Sequence, residues 1–411
     1  MKRYMILICL FIFLIGGCQS SEKKESVSGE TSLSEESSSS DDIFMTEGYL
    51  PDYDAQNQFS CHKEAALVGD TVYFKCGSSM YFYDMDTGIT APLCGKPECT
   101  HTSGSCNALM WDLCNFCYYD GKLYWVEMEA DHYVLMAMGI DGSEHERVQE
   151  MPEPFIFNDI LSIIRIHRGY VYMAEVIDTV EDGMGYHHLN VVRVKLGDES
   201  GETEVIIDKS TPYGVGYDFH MNFWGNTMYF LERDYDTKAE EENLTILLYT
   251  YDIHTRELEL ISEELYTNEA ASDFLVTENG IYVSMYYGDE SSEDFYKKKI
   301  FQFDSEKRKW VELAEIPPLE VGLPFLLDNE KVVASKGWNA PQSVIADYDG
   351  NILRVCDFPL SETETEDNIY PYPLVATDEY IIFNLMTTRG ATRFVKLVPL
   401  DPEKEIQTLY P

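Results

Sequence analysis

The sequence predicts an all-β chain folded as a β-propeller of seven four-stranded blades, with six or eight blades as the alternatives. Short runs of aromatic and β-branched residues, the types that pack well on a pleated sheet, alternate with Gly, Asp and Asn turns from Ala65 to the end of the chain. These runs group in fours and recur at a period of roughly 50 residues. A four-stranded sheet of that kind cannot bury both faces alone, so successive copies must stack around an axis. Composition agrees, since 29 Tyr and 13% aromatic residues suit strands better than long helices.

The amino-terminal stretch stands apart from the repeats. Met1-Lys2-Arg3 is basic, Tyr4–Ile15 is apolar, and Gly16-Gly17-Cys18 supplies small residues before a cysteine. The apolar run is too short for the ~20 residues of a spanning helix and reads as a secretory signal. Leu14-Ile15-Gly16-Gly17-Cys18 resembles the bacterial lipobox, which implies cleavage before Cys18 and a diacylglycerol on its sulphur. Gln19–Phe44 follows, with Ser37–Ser40, Glu35, Glu36, Asp41 and Asp42 and almost nothing apolar. Such a stretch cannot bury enough surface to order itself. The expected organisation is a signal peptide over 1–17, a lipidated cysteine and flexible tether over 18–44, and one propeller domain over 45–411.

The blades follow in order. The first is Ala65–Val68, Thr71–Phe74, Met80–Tyr83 and Ile89–Leu93; the second is Phe116–Tyr119, Lys122–Val126, Tyr133–Met138 and Glu146–Gln149. The third is Ser162–Ile166, Tyr170–Ala174, Asn190–Leu196 and Glu204–Ile207; the fourth is Met221–Trp224, Thr227–Leu231, Ile246–Tyr251 and Leu258–Ser262. The fifth is Phe274–Val276, Ile281–Ser284, Ile300–Asp304 and Trp310–Leu313; the sixth is Pro324–Leu327, Lys331–Ser335, Ser343–Ala346 and Ile352–Val355. The seventh is Leu374–Ala376, Tyr380–Asn384, Arg393–Val398 and Ile406–Tyr410. Gly69-Asp70, Asp120-Gly121, Arg168-Gly169, Gly225-Asn226, Asn279-Gly280, Asp328-Asn329 and Asp378-Glu379 stand at matching first-to-second turns. The last blade carries its own fourth strand, so no strand exchange closes the ring unless Tyr49–Phe59 packs there.

A formal net charge of −43 excludes nucleic acid and anionic lipid as main partners and admits divalent cations, amines and basic proteins. Of ten cysteines, Cys9 and Cys18 belong to the export segment, and five of the remaining eight crowd between Cys94 and Cys117. Cys94-x4-Cys99-x-His101-x4-Cys106 brings three thiols and an imidazole into one loop. That set suits a structural Zn²⁺, although it lacks the usual C-x2-C halves. Disulfides are the other natural use in an exported chain, and free thiols the third. Cys114 and Cys117 are near enough in sequence to complete either the metal or the disulfide scheme.

The lipobox at Cys18, the Ser/Glu tether, the repeated hairpins and the stretch Leu93–His101 through Cys106-Asn107-Ala108 together resemble uncharacterised β-propeller lipoproteins of Gram-positive anaerobic bacteria. The resemblance implies the fold and the membrane anchor over essentially the whole mature chain. It implies no activity.

Three acidic stretches are expected as loops between second and third strands: Asp178–His188, Glu232–Asn243 and Tyr287–Lys297. Asp234, Asp236, Glu240, Glu241, Glu242, Asp289, Glu290 and Asp294 make them a candidate binding face for Ca²⁺, an amine or a basic protein. The cysteine loop, a blade-to-blade connection, is expected at the same end. Asp84–Gly88 and Asp347–Gly350 resemble fragments of a calcium loop but lack its later ligands, and fit hairpin turns better. Adjacent His187 and His188 point to opposite faces of a strand and make a poor ligand pair. Trp111, Trp125, Trp224, Trp310 and Trp338 are spread along the chain, as inter-blade packing would require. No nucleophile elbow, P-loop or zinc-protease motif is present. The sequence therefore favours a membrane-anchored extracytoplasmic lipoprotein whose propeller binds a protein or envelope polymer. The alternative is an extracytoplasmic propeller enzyme acting on glycans or peptides.

Overall fold

The computed structural model describes residues 44–410 apart from 47, 55–64, 103, 111–113, 130–131, 153–162, 182–183, 199, 213–217, 237–242, 268, 288–296, 317–323, 328–329, 336–341, 359–368 and 388–392. The signal peptide, Cys18 and the tether fall outside these residues, as do Trp111, Trp338, Glu240, Glu241, Glu242, Asp289, Glu290 and Asp294.

Seven four-stranded antiparallel sheets follow one another along the chain, each with its strands in sequence order. Blade 1 is β1 (Ala65–Val68), β2 (Thr71–Cys76), β3 (Ser79–Asp84) and β4 (Ile89–Pro92). Blade 2 is β5 (Cys114–Tyr119), β6 (Lys122–Glu129), β7 (His132–Gly139) and β8 (Glu146–Glu150). Blade 3 is β9 (Ile163–His167), β10 (Tyr170–Glu181), β11 (Met184–Lys195) and β12 (Thr203–Pro212). Blade 4 is β13 (Asp218–Trp224), β14 (Thr227–Asp236), β15 (Asn243–Asp252) and β16 (Leu258–Thr267). Blade 5 is β17 (Glu269–Thr277), β18 (Gly280–Tyr287), β19 (Lys297–Asp304) and β20 (Lys309–Ile316). Blade 6 is β21 (Pro324–Leu327), β22 (Lys331–Ser335), β23 (Gln342–Asp347) and β24 (Ile352–Asp357). Blade 7 is β25 (Ile369–Ala376), β26 (Tyr380–Thr387), β27 (Arg393–Pro399) and β28 (Gln407–Tyr410).

Successive residues of a strand face opposite sides, and in the second strands both sides are buried. In β6, Leu123 and Trp125 join the cluster shared with blade 1, whereas Tyr124 and Val126 join the one shared with blade 3. In β26, Phe383 and Leu385 face blade 6 and Ile382 faces blade 1. One apolar cluster fills each interface between neighbouring blades, and the ring closes where Val72, Phe74 and Cys76 of blade 1 meet Leu374, Ile382 and Val395 of blade 7. Closure is thus by side-chain packing between complete blades. Trp125 and Trp310 fill such interfaces, as expected of them.

The Asp120-Gly121 and Arg168-Gly169 turns have positive φ at both residues, the geometry that matches the twist of the flanking strands. At the third-to-fourth turns the leading Asp bonds its own backbone. Asp84 Oδ1 accepts the amides of Asp86 and Thr87, and Asp347 Oδ1 accepts that of Asn351. The calcium-like fragments are therefore hairpin turns.

The described parts of two expected loops are instead strand. Asp178 and His187 are register partners in a ladder that runs unbroken from Tyr170↔Lys195 to Glu181↔Met184. Asp234 pairs with Thr245 and Asp236 with Asn243 in the same manner. The acidic residues mask a strand pattern: Val176, Ile177, Thr179 and Val180 are all β-branched. Because β10 and β11 are 12 residues long against six each for β2 and β3, the second-to-third hairpin of blade 3 stands beyond the ring.

Candidate functional site

Two segments outside the repeat carry most of the polar chemistry. One is the connection from β4 to β5, which holds the cysteine cluster. It leaves blade 1 with the Leu93 amide donating to the Met80 carbonyl, and Met80 N in turn donates to the carbonyl of Ala108. Between these points the chain makes two tight turns, closed by Cys99 N on Lys96 O at 3.1 Å and by Leu109 N on Cys106 O at 3.2 Å. Pro97 occupies the second position of the first turn, where its fixed φ is preorganised. His101 takes a left-handed φ of 58°, and its amide donates to Cys99 Sγ at 3.4 Å.

These turns bring the ligand atoms of Cys94, Cys99, His101 and Cys106 within 4.8 Å of one another, an arrangement that could hold a metal ion. His101 Nδ1 lies 3.4 Å from Cys106 Sγ. Among the described residues it is the one group of three or more side chains so placed. Cys106 is buried and its three partners are half-buried. Burial pushes the Cys106 thiol up to about 11. At Cys94 burial acts in the same sense but is outweighed by hydrogen bonds from the Lys96 and Asn107 amides and from the neighbouring thiols, so this sulphur is held low. The six described cysteines, Cys76, Cys94, Cys99, Cys106, Cys117 and Cys356, are free thiols in the structure.

Cys117 does not join the cluster. It lies on β5 in the apolar interface between blades 2 and 3, where burial pushes it up to about 12. The strand alternation that sends Phe116 and Tyr118 toward blade 1 sends Cys117 the other way. Cys114 begins the same strand, and its side chain lies outside the described residues. The cysteine loop rests on the β7–β8 turn of blade 2, with Gly95 N and Asn107 Nδ2 both donating to Gly142 O, at 3.0 and 2.7 Å. That turn emerges at the opposite end of blade 2 from the β6–β7 hairpin. The loop is therefore not confined to the hairpin end: it runs from the β2–β3 turn of blade 1, where Met110 N donates to Ser78 O, to the β7–β8 turn of blade 2.

The second segment is a strap, residues 44–54, ending in the short helix α1 (Pro51–Asp54). Phe44 packs on Tyr170 and His254, Tyr49 stacks on Trp224 at 4.9 Å, and Tyr53 meets Tyr119 edge-on. The strap crosses the first-to-second turns of blades 2, 3 and 4, so its described part is remote from the closure between blades 7 and 1. Its anchor is a network of three fully buried side chains, the ion pair of Asp54 with Arg168 and the imidazole of His167 beside it. Arg168 grips Asp54 with Nε at 3.3 Å and Nη2 at 3.0 Å. Its other donors reach Thr46 O, Gly48 O and Asn226 Oδ1, so all five guanidinium N–H groups are used. His167 Nε2 donates to Gly225 O at 2.8 Å while Nδ1 faces Asp54 Oδ1 at 3.3 Å. Burial dominates over that carboxylate and lowers the His167 pKa to about 4.

Sequence reasoning missed this network. Its one local signal is Arg168, a long cation in a two-residue turn whose other copies carry no basic residue.

The raised hairpins show a third pattern. Glu232 is buried and bonded by Lys209, so this acid is spent on holding blade 3 to blade 4. The side chains of Asp234 and Asp236 lie outside the described residues. On the outer face of blade 3, His188 Nδ1 is 2.7 Å from Ser210 Oγ and Nε2 is 3.0 Å from Asp208 Oδ1. Ser210, the register partner of His188, and Asp208, its diagonal neighbour, are exposed on the edge strand, so this is a cross-strand contact rather than a shielded nucleophile.

No protein-family model matches the chain, and no curated protein sequence matches it. Solved structures do match in fold. One of two prolyl endopeptidases superimposes over 90% of this chain and 52% of its own, with a TM-score of 0.53 and 11% identity. Oligogalacturonate lyase from Vibrio parahaemolyticus does so over 87% of this chain and 94% of its own, with a TM-score of 0.53 and 12% identity. Prolyl oligopeptidase B from Galerina marginata gives a TM-score of 0.52 at 11% identity. The chain spans about half the length of the two peptidases. At such identities the likeness is one of fold alone.

Proposed function

We propose that this chain is a lipid-anchored, extracytoplasmic propeller that binds a partner at one end of the ring and does not transform it. The observation that carries the reading is the division of labour between the two ends. The strap occupies the end bearing the first-to-second turns, where Asp54 meets Arg168. The hairpins of blades 3 and 4, with strands of 12 and 10 residues, rise from the other. In this reading the strap, the described segment nearest the Cys18 anchor in sequence, lies at the end away from the raised hairpins. Loops and hairpins held by a rigid ring are where recognition usually resides. With a net charge of −43, a basic protein segment or an amine-bearing envelope polymer is the complementary partner, and Ca²⁺ is the simplest cation the acidic hairpins would take. The cysteine loop, within this reading, is a structural metal clip rather than a catalytic centre.

The test has two parts. Intact-mass analysis of membrane-fraction protein should show diacylglycerol on the chain beginning at Cys18, and Cys18→Ala should release the protein from the membrane. A photo-crosslinker in the β10–β11 hairpin should then capture an envelope partner that the same probe in the Asp378-Glu379 turn does not. Equal capture from both positions would sink the end-specific reading. Lyase and endopeptidase relatives in fold make turnover of oligogalacturonate, or of proline-containing peptides, the result that would replace binding with catalysis.

A further inference from the structure

We propose that Cys94, Cys99, His101 and Cys106 form a closed four-ligand Zn²⁺ site that folds the β4–β5 connection and locks it onto blade 2. The proposal rests on the structural-clip part of the reading above and is independent of what the raised hairpins bind.

The donor set selects the ion. Three thiolates and an imidazole are soft and borderline ligands, which excludes Ca²⁺ and Mg²⁺ and suits tetrahedral Zn²⁺. Zinc bonds of about 2.0–2.3 Å place tetrahedral ligand atoms roughly 3.5–3.8 Å apart. Four donor atoms mutually within 4.8 Å, with the His101–Cys106 pair at 3.4 Å, need only small adjustments to reach that geometry. A disulfide would account for two of the thiols. It would give no reason for a third thiol and an imidazole to converge on the same point. With four protein ligands no position is left for water, and this separates a structural site from a catalytic one.

The surroundings are those of a ligand cage. The amides of Lys96 and Asn107 point at Cys94 Sγ, that of Ala108 at Cys106 Sγ, and that of His101 at Cys99 Sγ. Such N–H···S bonds orient ligands and spread the charge of a thiolate-rich site. The Lys96 ammonium, bonded to the Ser105 carbonyl, adds a positive charge within the same loop.

Apart from its turn hydrogen bonds and its contacts with blades 1 and 2, the loop has little apolar core of its own. Leu93 and Met110 at its two ends belong to the interface cluster of blades 1 and 2. Between them, among the described residues, only Cys106 and Ala108 are buried. A segment without an apolar core is what a bound metal can order, because binding free energy then becomes folding free energy. The contact with Gly142 passes that order to blade 2. A Cβ at Gly142 would stand 2.7 Å from Gly95 N and 2.8 Å from Cys94 N, so the first ligand sits directly on the β7–β8 turn.

The experiment is elemental analysis and native mass spectrometry of the full chain, purified with reductant and without chelator. One zinc per chain is expected, released on acidification, with the thiols free afterwards. Replacement by Co²⁺ should give the visible absorption of tetrahedral thiolate coordination. Cys106→Ser should lose the ion. His101→Cys, which preserves four ligands, should keep it and alter the Co²⁺ spectrum, so a folding defect in the first variant does not obscure the result. A chain that neither carries nor takes up zinc would overturn the proposal. So would, in a parallel preparation without reductant, a mass lower by two hydrogens that reductant restores, or, in either preparation, iron or copper at one per chain.

Discussion

The cysteine loop and the amino-terminal strap are two answers to one problem, that of fixing a non-repeating segment to a ring of repeats. The loop draws its four candidate ligands from a short contiguous run and leaves three of them half-buried. The strap draws Asp54 from one end of the domain and His167 and Arg168 from a turn of blade 3, and buries all three completely. A loop built on soft ligands can be undone by removing an ion. A strap built on buried charge can be undone only by unbalancing that charge. The two should therefore fail differently, and the strap more expensively.

Asp54→Asn should give the largest effect. It keeps the shape of the side chain and removes the charge that Arg168 grips through two nitrogens. Losing one partner of a buried pair typically costs about 3–5 kcal/mol, because the other charge stays buried and uncompensated. Chemical denaturation should report a loss of that order, and proteolysis should cut ahead of Asp54 while the blades stay protected. A loss below about 1 kcal/mol would mean that the carbonyls of Thr46 and Gly48 suffice to hold Arg168.

Acid should strain the same point. Burial depresses the folded-state pKa of His167 to about 4, below its ordinary value of 6.5. The unfolded chain binds a proton there at higher pH than the folded chain does, so stability is complete above pH ~6.5 and falls as pH drops toward ~4. The full shift corresponds to roughly 3 kcal/mol. His167→Gln should flatten the stability profile between those limits, since no imidazole then remains to titrate. An unchanged slope would assign the acid sensitivity to other groups.

The contrast also explains what could be read beforehand. All the blades were legible, because each strand announces itself by its own residues and each turn by Gly, Asp or Asn. The cysteine cluster was legible for the same reason, its ligands being neighbours in sequence. Strand lengths were less so: the acids of Asp178–His188 look like loop, and only the ladder Asp178↔His187 and Thr179↔Tyr186 shows otherwise. The register shift between third and fourth strands, seen at Val191/Val192 and again at Leu248/Tyr249, leaves no mark in composition. Cys117 looked like a member of the cluster because sequence distance says nothing of which face a strand residue takes. The strap was invisible because Asp54 and Arg168 are linked only by the fold.

Two glycines sharpen the comparison at the loop. Gly142 and Gly121 have nearly equal left-handed φ values, 78° and 75°. A Cβ on Gly121 would meet nothing within 4 Å, whereas one on Gly142 would collide with the backbone of Cys94 and Gly95. Gly121→Ala should cost only the left-handed penalty, about 1–2 kcal/mol. Gly142→Ala should add the displacement of the loop, reaching about 2–4 kcal/mol, and should weaken metal uptake where Gly121→Ala does not. Equal zinc titrations in the two variants would show that the cluster does not depend on its seat on blade 2.

The smallest effect belongs to the aromatic contact of the strap. Tyr49 stacks on Trp224 with planes 18° apart, and such a pair contributes about 0.5–1.5 kcal/mol beyond the area it buries. A double-mutant cycle on Tyr49→Ala and Trp224→Ala should return a coupling of that size, well below the cost of Asp54→Asn. The ranking is what matters. If the coupling matched or exceeded the loss from Asp54→Asn, the strap would be an aromatic clasp with the charges as passengers, and its acid sensitivity would disappear with it. A small coupling beside a large charge effect would make Arg168 the point on which the strap is held.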